Sequence, residues 1–362
     1  MRITVTGATG TIGQALVREL RERGDEVTAL SRDPERAASS LGVDAQAWAE
    51  PKGQAPPLDG LSGRDAVVHL LGETVAQRWT NGAKREIYDS RILSTRRLVD
   101  ALAELPPAER PRVLVSQSAT GVYGPRGGER VTEDAQAGDD FLAGVVSDWE
   151  AEAQKAAGLG MRVVLTRTGV VLAPEGGALE KMLPFFKLGI GGPVAGGGQY
   201  VPWIHLADVV GALLACIDGD LSGPVNVTAP EPVTNKELSK TLGEVLKRPA
   251  FAPVPGLAVK ALYGEMATIV TTGQRVVPAR LERSGYGFRR PDFEAALRAA
   301  VYLRPSSCIA ACSARSSATV LPPLPNGPCS FQRESALAGQ SSQMIAPITD
   351  SSRPKASPSF SP

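Results

Sequence analysis

The sequence predicts an α/β protein built on a Rossmann-like, doubly wound parallel sheet, with a smaller C-terminal α-rich domain and a disordered tail. A strand, a glycine turn and a helix open the chain, and the composition changes abruptly near residue 303. Between these points, strand-like and helix-like patterns alternate through roughly the first two hundred residues, which is typical of a parallel sheet that helices cover on both faces.

The first element is a strand that leads through glycines into a helix. Apolar residues alternate over Arg2–Thr6, and an apolar stripe with helical spacing runs from Ile12 to Leu20. In dinucleotide-binding folds the glycines of such a turn permit a sharp bend, admit a pyrophosphate and let the helix pack on the strand. The alternative is a βα turn that binds no ligand. The residues expected to bind the phosphates are Gly7, Thr9, Gly10, Thr11, Ile12 and Gly13.

The end of the second strand indicates which dinucleotide binds. Glu26–Leu30 is predicted as this strand, and NAD-type folds carry an acidic residue at its tip to hold the ribose 2′-hydroxyl. Here the tip is Ser31-Arg32, whose hydroxyl and guanidinium suit a 2′-phosphate, so NADP is favoured. Asp33 comes one position late and is expected to cap the next turn. The alternative for Arg32 is a solvated surface charge.

The remaining elements continue the alternation. Further strands are predicted at 65–72, 112–116, 161–172 and 224–228, and helices at 90–104, 147–157 and 208–218, with a glycine-rich loop at 189–198. Thr234–Glu237 has the pattern of a capping box that starts a helix through Leu246. Two more helical stretches follow near 257–268 and 291–300.

Composition excludes several classes of protein. The net charge of the 362 residues is +1, so no overall field attracts nucleic acid or a membrane surface, and no apolar run is long enough to span a bilayer. Met1 leads directly into the first strand, which leaves no room for a signal peptide and predicts a cytoplasmic protein. Of four cysteines only Cys216 lies in the patterned region, so neither a disulfide framework nor a metal site is expected.

Residues 303–362 differ from the rest of the chain. They are rich in Ser and Pro, nearly lack acidic residues and show no periodicity. Such a segment cannot bury enough apolar surface to offset its ordering entropy, so we expect a disordered tail. The alternative is a shift of reading frame near the end of a normal domain, which would leave a non-native peptide.

Motifs along the first 300 residues resemble one family. They are found at Gly7–Gly13, His69–Glu73, Arg78–Thr80, Ser116–Gly124, Arg167–Pro174, Trp203–Asp208 and Gly223–Val227. These segments resemble the atypical and extended short-chain dehydrogenases/reductases, in particular the epimerase family of sugar-nucleotide epimerase-like proteins with a C-terminal domain of unknown function. The resemblance implies an NAD(P)-binding domain at 1–229, a substrate-side domain at 230–302, and a cofactor bordered by Leu71, Gly72 and Glu73.

The resemblance also implies an activity and its catalytic residues. It predicts an epimerase, dehydratase or reductase acting on a small polar or nucleotide-linked substrate, and it is compatible with a homodimer. In that superfamily a Ser, which corresponds to Ser118, works with a Tyr about two dozen residues later and a Lys four residues beyond it. The corresponding region, Asp140–Ser147, contains neither Tyr nor Lys. The alternative function is therefore a non-catalytic NADPH-binding sensor or scaffold.

Other residues are candidates for the missing roles. Tyr123, near a strand end where ligands gather, is a candidate acid, with a packing role as the alternative. Arg91 is a candidate clamp for an anionic substrate group, with Glu73 as the alternative partner. The site is expected between Ser118–Gly124, Arg91, and a side formed by Arg167, Gln199 and Trp203. His69 and His205 are expected to be structural, with a role as a base as the alternative for His205.

Overall fold

The computed structural model describes residues 1–302, and the predicted tail lies outside the described residues. The strands are Arg2–Thr6 (β1), Glu26–Ser31 (β2), Asp44–Ala47 (β3), Ala66–His69 (β4), Val113–Ala119 (β5), Arg130–Val131 (β6), Arg162–Thr168 (β7), Val170–Leu172 (β8), Tyr200–Val201 (β9), Trp203–His205 (β10), Gly223–Val227 (β11), Val233–Thr234 (β12) and Arg275–Val276 (β13). The helices are Thr11–Glu22 (α1), Pro34–Leu41 (α2), Asn81–Glu104 (α3), Phe141–Gln154 (α4), Gly177–Lys187 (α5), Leu206–Asp218 (α6), Asn235–Leu246 (α7), Gly256–Tyr263 (α8), Thr268–Thr271 (α9), Ala279–Arg283 (α10) and Phe293–Tyr302 (α11).

Seven strands form one parallel sheet in the order β11-β7-β5-β4-β1-β2-β3. β1 lies inside the sheet, where Ile3 pairs with Val27 of β2 on one side and with Ala66 of β4 on the other. The chain first winds outward to β3 and then returns to β4 to wind the opposite way. The point of reversal, between β1 and β4, is where open α/β sheets bind ligands beyond the carboxyl ends of the strands. The predicted Rossmann-like sheet is confirmed.

Helices cover both faces of the sheet, as the alternation predicted. One buried cluster includes Leu16 of α1 and Leu213 of α6 against Val115 of β5. The other includes Leu98 of α3 against Leu114 of β5. Neighbouring strand residues thus point to opposite faces, so a run such as Val113–Val115 is buried throughout.

Residues 230–302 form short strands and helices that pack beside the end of β10. The predicted capping box is confirmed, since the Thr234 hydroxyl accepts the Glu237 N–H and the Glu237 carboxylate accepts the Thr234 N–H. Helices α5, α7 and α11 share a buried cluster with Trp203, whose ring meets the Phe293 ring edge-on at 5.0 Å between centroids. The predicted domain boundary at residue 229 stays a prediction.

Several elements differ from the sequence prediction, among them α4, which begins at Phe141 rather than at Ser147, and α5, which was not predicted. Two further differences have identifiable reasons. Helix α3 begins at Asn81, because the Thr80 hydroxyl caps it by accepting the Ala83 N–H, and its polar first turns hide the start. The strand predicted at 161–172 is divided at Gly169 into β7 and β8. A side chain at Gly169 would overlap the Pro202 carbonyl group, so only glycine lets the two segments cross there.

Among residues 1–302, no helix combines the length and apolar character that crossing a membrane requires.

Candidate functional site

The glycine turn between β1 and α1 closes tightly on its own backbone. Gly7 has φ +67°, and a Cβ on it would lie 2.8 Å from the Leu70 carbonyl oxygen. A Cβ on Gly13 would overlap the Gly7 carbonyl oxygen and lie 2.7 Å from the Ala8 Cα. The Gly10 N–H donates to the Gly7 carbonyl oxygen at 3.0 Å, and no described side chain caps α1. The first amides of α1 are therefore available to an anion at the carboxyl edge of the sheet.

The predicted phosphate-binding residues reach the surface, except for Gly13, which is buried. Thr9, Gly10 and Thr11 are exposed, and Ile12 is half-buried. The loop that leads into α5 passes over this turn, because a Cβ on Gly176 would contact the Thr11 side chain. A nucleotide bound on the turn would have this loop at its side.

The tip of β2 presents a hydroxyl and a free cation. The Ser31 hydroxyl donates to the Asp33 carbonyl oxygen at 3.0 Å and accepts the Asp33 N–H at 3.2 Å. Asp33 caps α2 by accepting the Arg36 N–H at 3.0 Å, so the prediction that it is a cap is confirmed. Arg32 is exposed and makes no hydrogen bond or ion pair with the described residues. The Asp33 carboxylate is thus already bonded to the backbone of α2. The Arg32 guanidinium, which has no partner among the described residues, is suited to bind a phosphate.

Arg91 on α3 lies beneath the loop that follows β4. Its Nη2 donates to the Glu73 carbonyl oxygen at 2.9 Å, and its Nη1 donates to the Ile87 carbonyl oxygen at 3.0 Å. A Cβ on Gly72 would lie 3.1 Å from the guanidinium carbon, which itself lies 5.2 Å from the centre of a Trp149 ring. Burial lowers the Arg91 pKa to about 10, against the opposing charge of Glu73, so the group is cationic at neutral pH. No carboxylate of residues 1–302 lies within 4.0 Å of it.

Ser118 lies in a buried ionic network below the carboxyl end of β5. Its hydroxyl donates to Glu150 Oε1 at 2.6 Å, and only 1% of the residue is exposed. Arg167 of β7 donates from Nε and Nη2 to the two Glu150 oxygens, each at 2.8 Å. Burial alone would lower the Arg167 pKa, but the hydrogen bonds and charge of Glu150 outweigh it and raise the pKa. Arg167 therefore stays cationic, and its partner Glu150 also holds the Ser118 hydroxyl.

Tyr123 belongs to the same network and is fully buried. Its hydroxyl donates to Asn226 Oδ1 at 2.6 Å and accepts from Arg167 Nη1 at 2.9 Å. Burial raises the pKa of Tyr123, and the neighbouring Arg167 only partly offsets this. Both hydrogen-bonding positions of the phenol are thus occupied by the protein, and the candidate acid role stays a prediction.

A cleft of about 450 Å³ opens at the carboxyl ends of β5 and β7. Arg91 contributes to its wall, whereas the side chains of Ser118, Tyr123 and Arg167 lie behind that wall. The cleft is lined by residues 75–76, Trp79, Ile87, Arg91, 119–121, 124–125, 140–142, 145–146, 168–170, 200–202, Glu265, 268–269 and 272–274. Segments distant in sequence therefore enclose it from two sides.

Helix α4 supplies one wall of the cleft, from the region where the resemblance leads one to expect a Tyr and a Lys. Phe141, Leu142, Val145 and Val146 line the cleft from one face of this helix. The Leu142 Cβ lies 3.6 Å from the place of a Cβ on Gly121. The side chains of α4 that form this wall are thus hydrocarbon.

The predicted C-terminal side of the site differs in detail. Trp203 is fully buried, and its Nε1 donates to the Glu231 carbonyl oxygen at 2.8 Å. Gln199 Nε2 donates to the carbonyl oxygens of Val194 and Val270. The intervening segment 200–202 lines the cleft instead of Gln199 and Trp203, and the expected place of the site beside Arg167, Gln199 and Trp203 stays a prediction.

Both histidines are held in structural roles. The two His69 nitrogens lie 2.8 Å from the Thr6 hydroxyl and 3.0 Å from the Thr95 hydroxyl, and burial lowers the His69 pKa to about 3. His205 caps α6, where Nδ1 accepts the Ala207 N–H at 3.1 Å. Burial, with the charge of Arg290, lowers its pKa to about 4. Neither imidazole lines the cleft.

Sequence reasoning missed Glu150 and the aromatic part of the cleft. Glu150 stands between Asp148 and Glu152 on α4, and Arg167 stands between two threonines on β7, so no local pattern marks either residue as part of a buried pair. Trp79 and Phe141 meet edge-on at 5.1 Å between ring centres. In residues 1–302, no three His, Cys, Asp or Glu side chains gather to hold a metal ion.

Family models match most of this chain. The NAD dependent epimerase/dehydratase family matches residues 3–227, and a domain of unknown function, DUF1731, matches residues 254–300.

Similar proteins extend over the same region. The chain is 40% identical over 300 residues to the epimerase family protein SDR39U1 homolog, chloroplastic, of Arabidopsis thaliana, which covers 83% of this chain and 86% of that protein. It is 38% identical over 304 residues to the human epimerase family protein SDR39U1, with coverage of 82% and 99%.

Solved structures agree with these matches. The crystal structure of human epimerase family protein SDR39U1 (isoform 2) with NADPH has a TM-score of 0.75 at 35% identity, covering 84% of this chain and 100% of that chain. The Bacillus cereus UDP-glucuronic acid 4-epimerase in complex with UDP-glucuronic acid and NAD has a TM-score of 0.67 at 17% identity, covering 83% and 98%. The latter is a likeness of fold alone.

Proposed function

The chain belongs to the NAD-dependent epimerase/dehydratase family, and we propose that it is an NADP(H)-dependent enzyme whose substrate binds in the cleft beside β5 and β7. The observation that carries this proposal is the glycine turn at the carboxyl edge of the sheet that also bears the cleft. Ligands of open α/β sheets collect at that edge, next to the switch point.

The residues present fit the cofactor. Gly7 and Gly13 keep the turn free of side chains, and the first amides of α1 would bind the pyrophosphate. Ser31 and Arg32 would bind the 2′-phosphate, while Leu71, Gly72 and Glu73 would border the nucleotide from the end of β4. When bound, NADPH supplies a hydride. The match of the chain to a relative solved with NADPH supports the same choice.

Among epimerase, dehydratase and reductase activities, the cleft favours reductase. Epimerisation and dehydration need a side-chain base that removes a proton from the substrate, as the superfamily Tyr does with its Lys. Leu142 and Val146 occupy the corresponding wall. Reduction of a carbonyl needs a group that holds the developing oxyanion, and the Arg91 guanidinium can do this, with solvent as the proton source.

Ser118, Tyr123 and Arg91 stay the predicted catalytic residues. Arg91 can contact a bound substrate directly, whereas the Ser118 hydroxyl would first have to leave Glu150. The variant Ser118→Ala distinguishes direct contact with the substrate from a role in stabilising the buried network. A fall in kcat of about ten- to a thousandfold at unchanged melting temperature would support substrate contact. A lower melting temperature at unchanged kcat would assign Ser118 to the buried network.

The deciding experiment is hydride transfer. NADPH and NADH are titrated against the full chain, and NADPH consumption is then followed with a panel of carbonyl compounds and nucleotide sugars. Tighter binding of NADPH and consumption with at least one compound are expected. Equal or tighter binding of NADH would contradict the choice of NADP, and a silent panel would contradict an enzyme.

One observation favours a second function, a non-catalytic NADPH sensor or scaffold. The hydrocarbon wall of α4 and the bound state of the Ser118 and Tyr123 hydroxyls leave the cleft without the superfamily's proton-transfer groups. This function predicts NADPH binding without turnover and a change in oligomeric state on binding. A homodimer and a cytoplasmic location stay predictions.

A further inference from the structure

The wall of the cleft points to a class of substrate other than the one that the resemblance implies. One side is a continuous apolar surface formed by Trp79, Phe141, Leu142, Val145 and Val146. The Trp79 Nε1 donates to the Val75 carbonyl oxygen at 3.0 Å, so the indole N–H is already bonded within the protein. A sugar would leave its hydroxyl groups without partners along this surface, at a cost for each buried polar group.

The charges of the cleft argue against a nucleoside diphosphate. The lining residues that carry charge are one cation, Arg91, and two carboxylates, Asp140 and Glu265. The nearby Lys84 is paired with Glu265 at 2.6 Å and lies over the Phe141 ring at 4.8 Å, so its charge is already balanced. Because Glu265 is paired with Lys84, the charges of Arg91 and Asp140 balance, and the lining offers a doubly negative diphosphate no net positive charge.

The one cationic side chain among the lining residues is suited to a substrate oxygen. The Arg91 guanidinium lies in the wall, has backbone carbonyls as its polar partners and has no carboxylate within 4.0 Å among the described residues. A cation in such surroundings gains from a hydrogen-bond acceptor that the ligand brings.

We propose that the cleft binds an apolar carbonyl compound, with its hydrocarbon part on the α4 wall and its oxygen towards Arg91. This inference rests on the proposed function, because it names the substrate class of the same site. It replaces the small polar or nucleotide-linked substrate that the resemblance predicts.

Binding is tested apart from turnover, with the full chain saturated with NADP⁺. Saturation-transfer NMR measures the affinity of benzylacetone, an aromatic ketone, and of UDP-glucose. Benzylacetone is expected to bind at least about tenfold more tightly, since its phenyl and methylene groups are removed from water. Equal or tighter binding of UDP-glucose would overturn the proposal.

Variants place the binding in the cleft. Leu142→Asn is expected to weaken benzylacetone about tenfold, while Leu142→Met, which keeps an apolar surface, changes it less than about threefold. Phe185 is half exposed on α5, away from the cleft, so Phe185→Ser is the control for general apolar binding and is expected to leave the affinity unchanged. Sensitivity to Phe185→Ser, or indifference to Leu142→Asn, would refute the proposal.

The remaining outcomes separate this inference from the proposed function. The NADPH affinity of each variant shows whether the variant is folded. If Leu142→Asn loses NADPH binding, Val146→Thr is used in its place, because Thr and Val are nearly equal in volume. Suppose that the variants change the affinity for benzylacetone as expected, but that no carbonyl compound causes NADPH consumption. This result would support the inference about the substrate class and contradict the proposal that the protein is an enzyme. NADPH consumption with nucleotide sugars alone would support the proposal that the protein is an enzyme and would contradict the inference about the substrate class.

Discussion

At the tip of β2, Arg32 extends from the protein without a partner among the described residues, beside a serine and an aspartate that bind one another. If a 2′-phosphate provides its partner, the guanidinium contributes a charge-assisted hydrogen bond to NADPH and nothing to NADH. This difference makes the residue a direct test of cofactor choice.

Arg32→Ala is expected to weaken NADPH binding by about 1–3 kcal/mol, which corresponds to roughly a five- to 150-fold rise in Kd, and to leave NADH nearly unchanged. Calorimetric titration of both nucleotides measures this. Arg97→Ala, at an exposed position of α3, is the matched control for a change in net charge. Equal losses for both nucleotides would show that Arg32 does not contact the 2′-phosphate.

At the scale of secondary-structure elements, one buried ion pair and a serine bonded to it join two strands and a helix. Ser118 of β5, Glu150 of α4 and Arg167 of β7 meet, and the side chains of Arg167 and Glu150 are 9% and 11% exposed. Removing one partner of such a pair leaves an uncompensated buried charge, whereas removing both can be nearly neutral. The pair thus fixes how α4 sits on the sheet, and with it the wall of the cleft.

Glu150→Leu is expected to destabilise the fold by about 3–5 kcal/mol, because Arg167 would stay charged without its partner. The double variant Glu150→Leu/Arg167→Met is expected to recover most of this loss. Urea unfolding of the single and double variants measures the coupling. A double variant as unstable as the sum of the two single variants would show that the pair acts through other contacts.

Local patterns predicted most elements, and their ends depended on contacts beyond the local sequence. The turn at Gly7–Gly13, the capping box at Thr234 and the Asp33 cap are encoded within a few residues, and the structure confirms them. The break at Gly169 depends on Pro202, so the strand pattern alone could not show it. The cleft was harder to predict from the sequence, because its wall combines Trp79, the start of α4 and residues 265–274, which are distant from one another along the chain.

At the scale of the whole molecule, two buried histidines link folding to pH. The chain has only two, and burial lowers the pKa of His69 to about 3 and of His205 to about 4. In the unfolded chain both titrate near 6.5. As the pH falls below this value the unfolded state gains protons that the folded state does not bind, so the stability present above pH 6.5 is lost.

The free energy of unfolding is therefore expected to fall between about pH 7 and 5.5, approaching about 1.4 kcal/mol per pH unit for each histidine at the acidic end. His205→Asn keeps an acceptor for the Ala207 N–H and removes one titrating group, so it should reduce the slope by nearly half. Urea unfolding across this range gives the slope. If His205→Asn has the same dependence of unfolding free energy on pH as the wild type, His205 is not a source of that dependence.

The end of the family match suggests where the chain can be shortened. The DUF1731 match stops at residue 300, and the Tyr302 hydroxyl donates to the Val245 carbonyl oxygen at 2.7 Å. A chain ending at Tyr302 is expected to keep the melting temperature and NADPH affinity of the full chain. A chain ending at Asp292 lacks α11, with its buried Ala296 and Leu297, and is expected to be less stable. Loss of stability in the longer variant would show that residues after 302 support the fold.

The order of strands in the sheet also sets a sequence of events during synthesis. Ile3 meets Val27 early, but its other neighbour, Ala66, emerges only after β2 and β3. No pair in this sheet forms through a tight hairpin, so every contact between strands closes a long loop, and such topologies fold slowly. Until β11 leaves the ribosome, the β7 edge has no partner strand, and the nascent chain presents it to any strand that can pair with it.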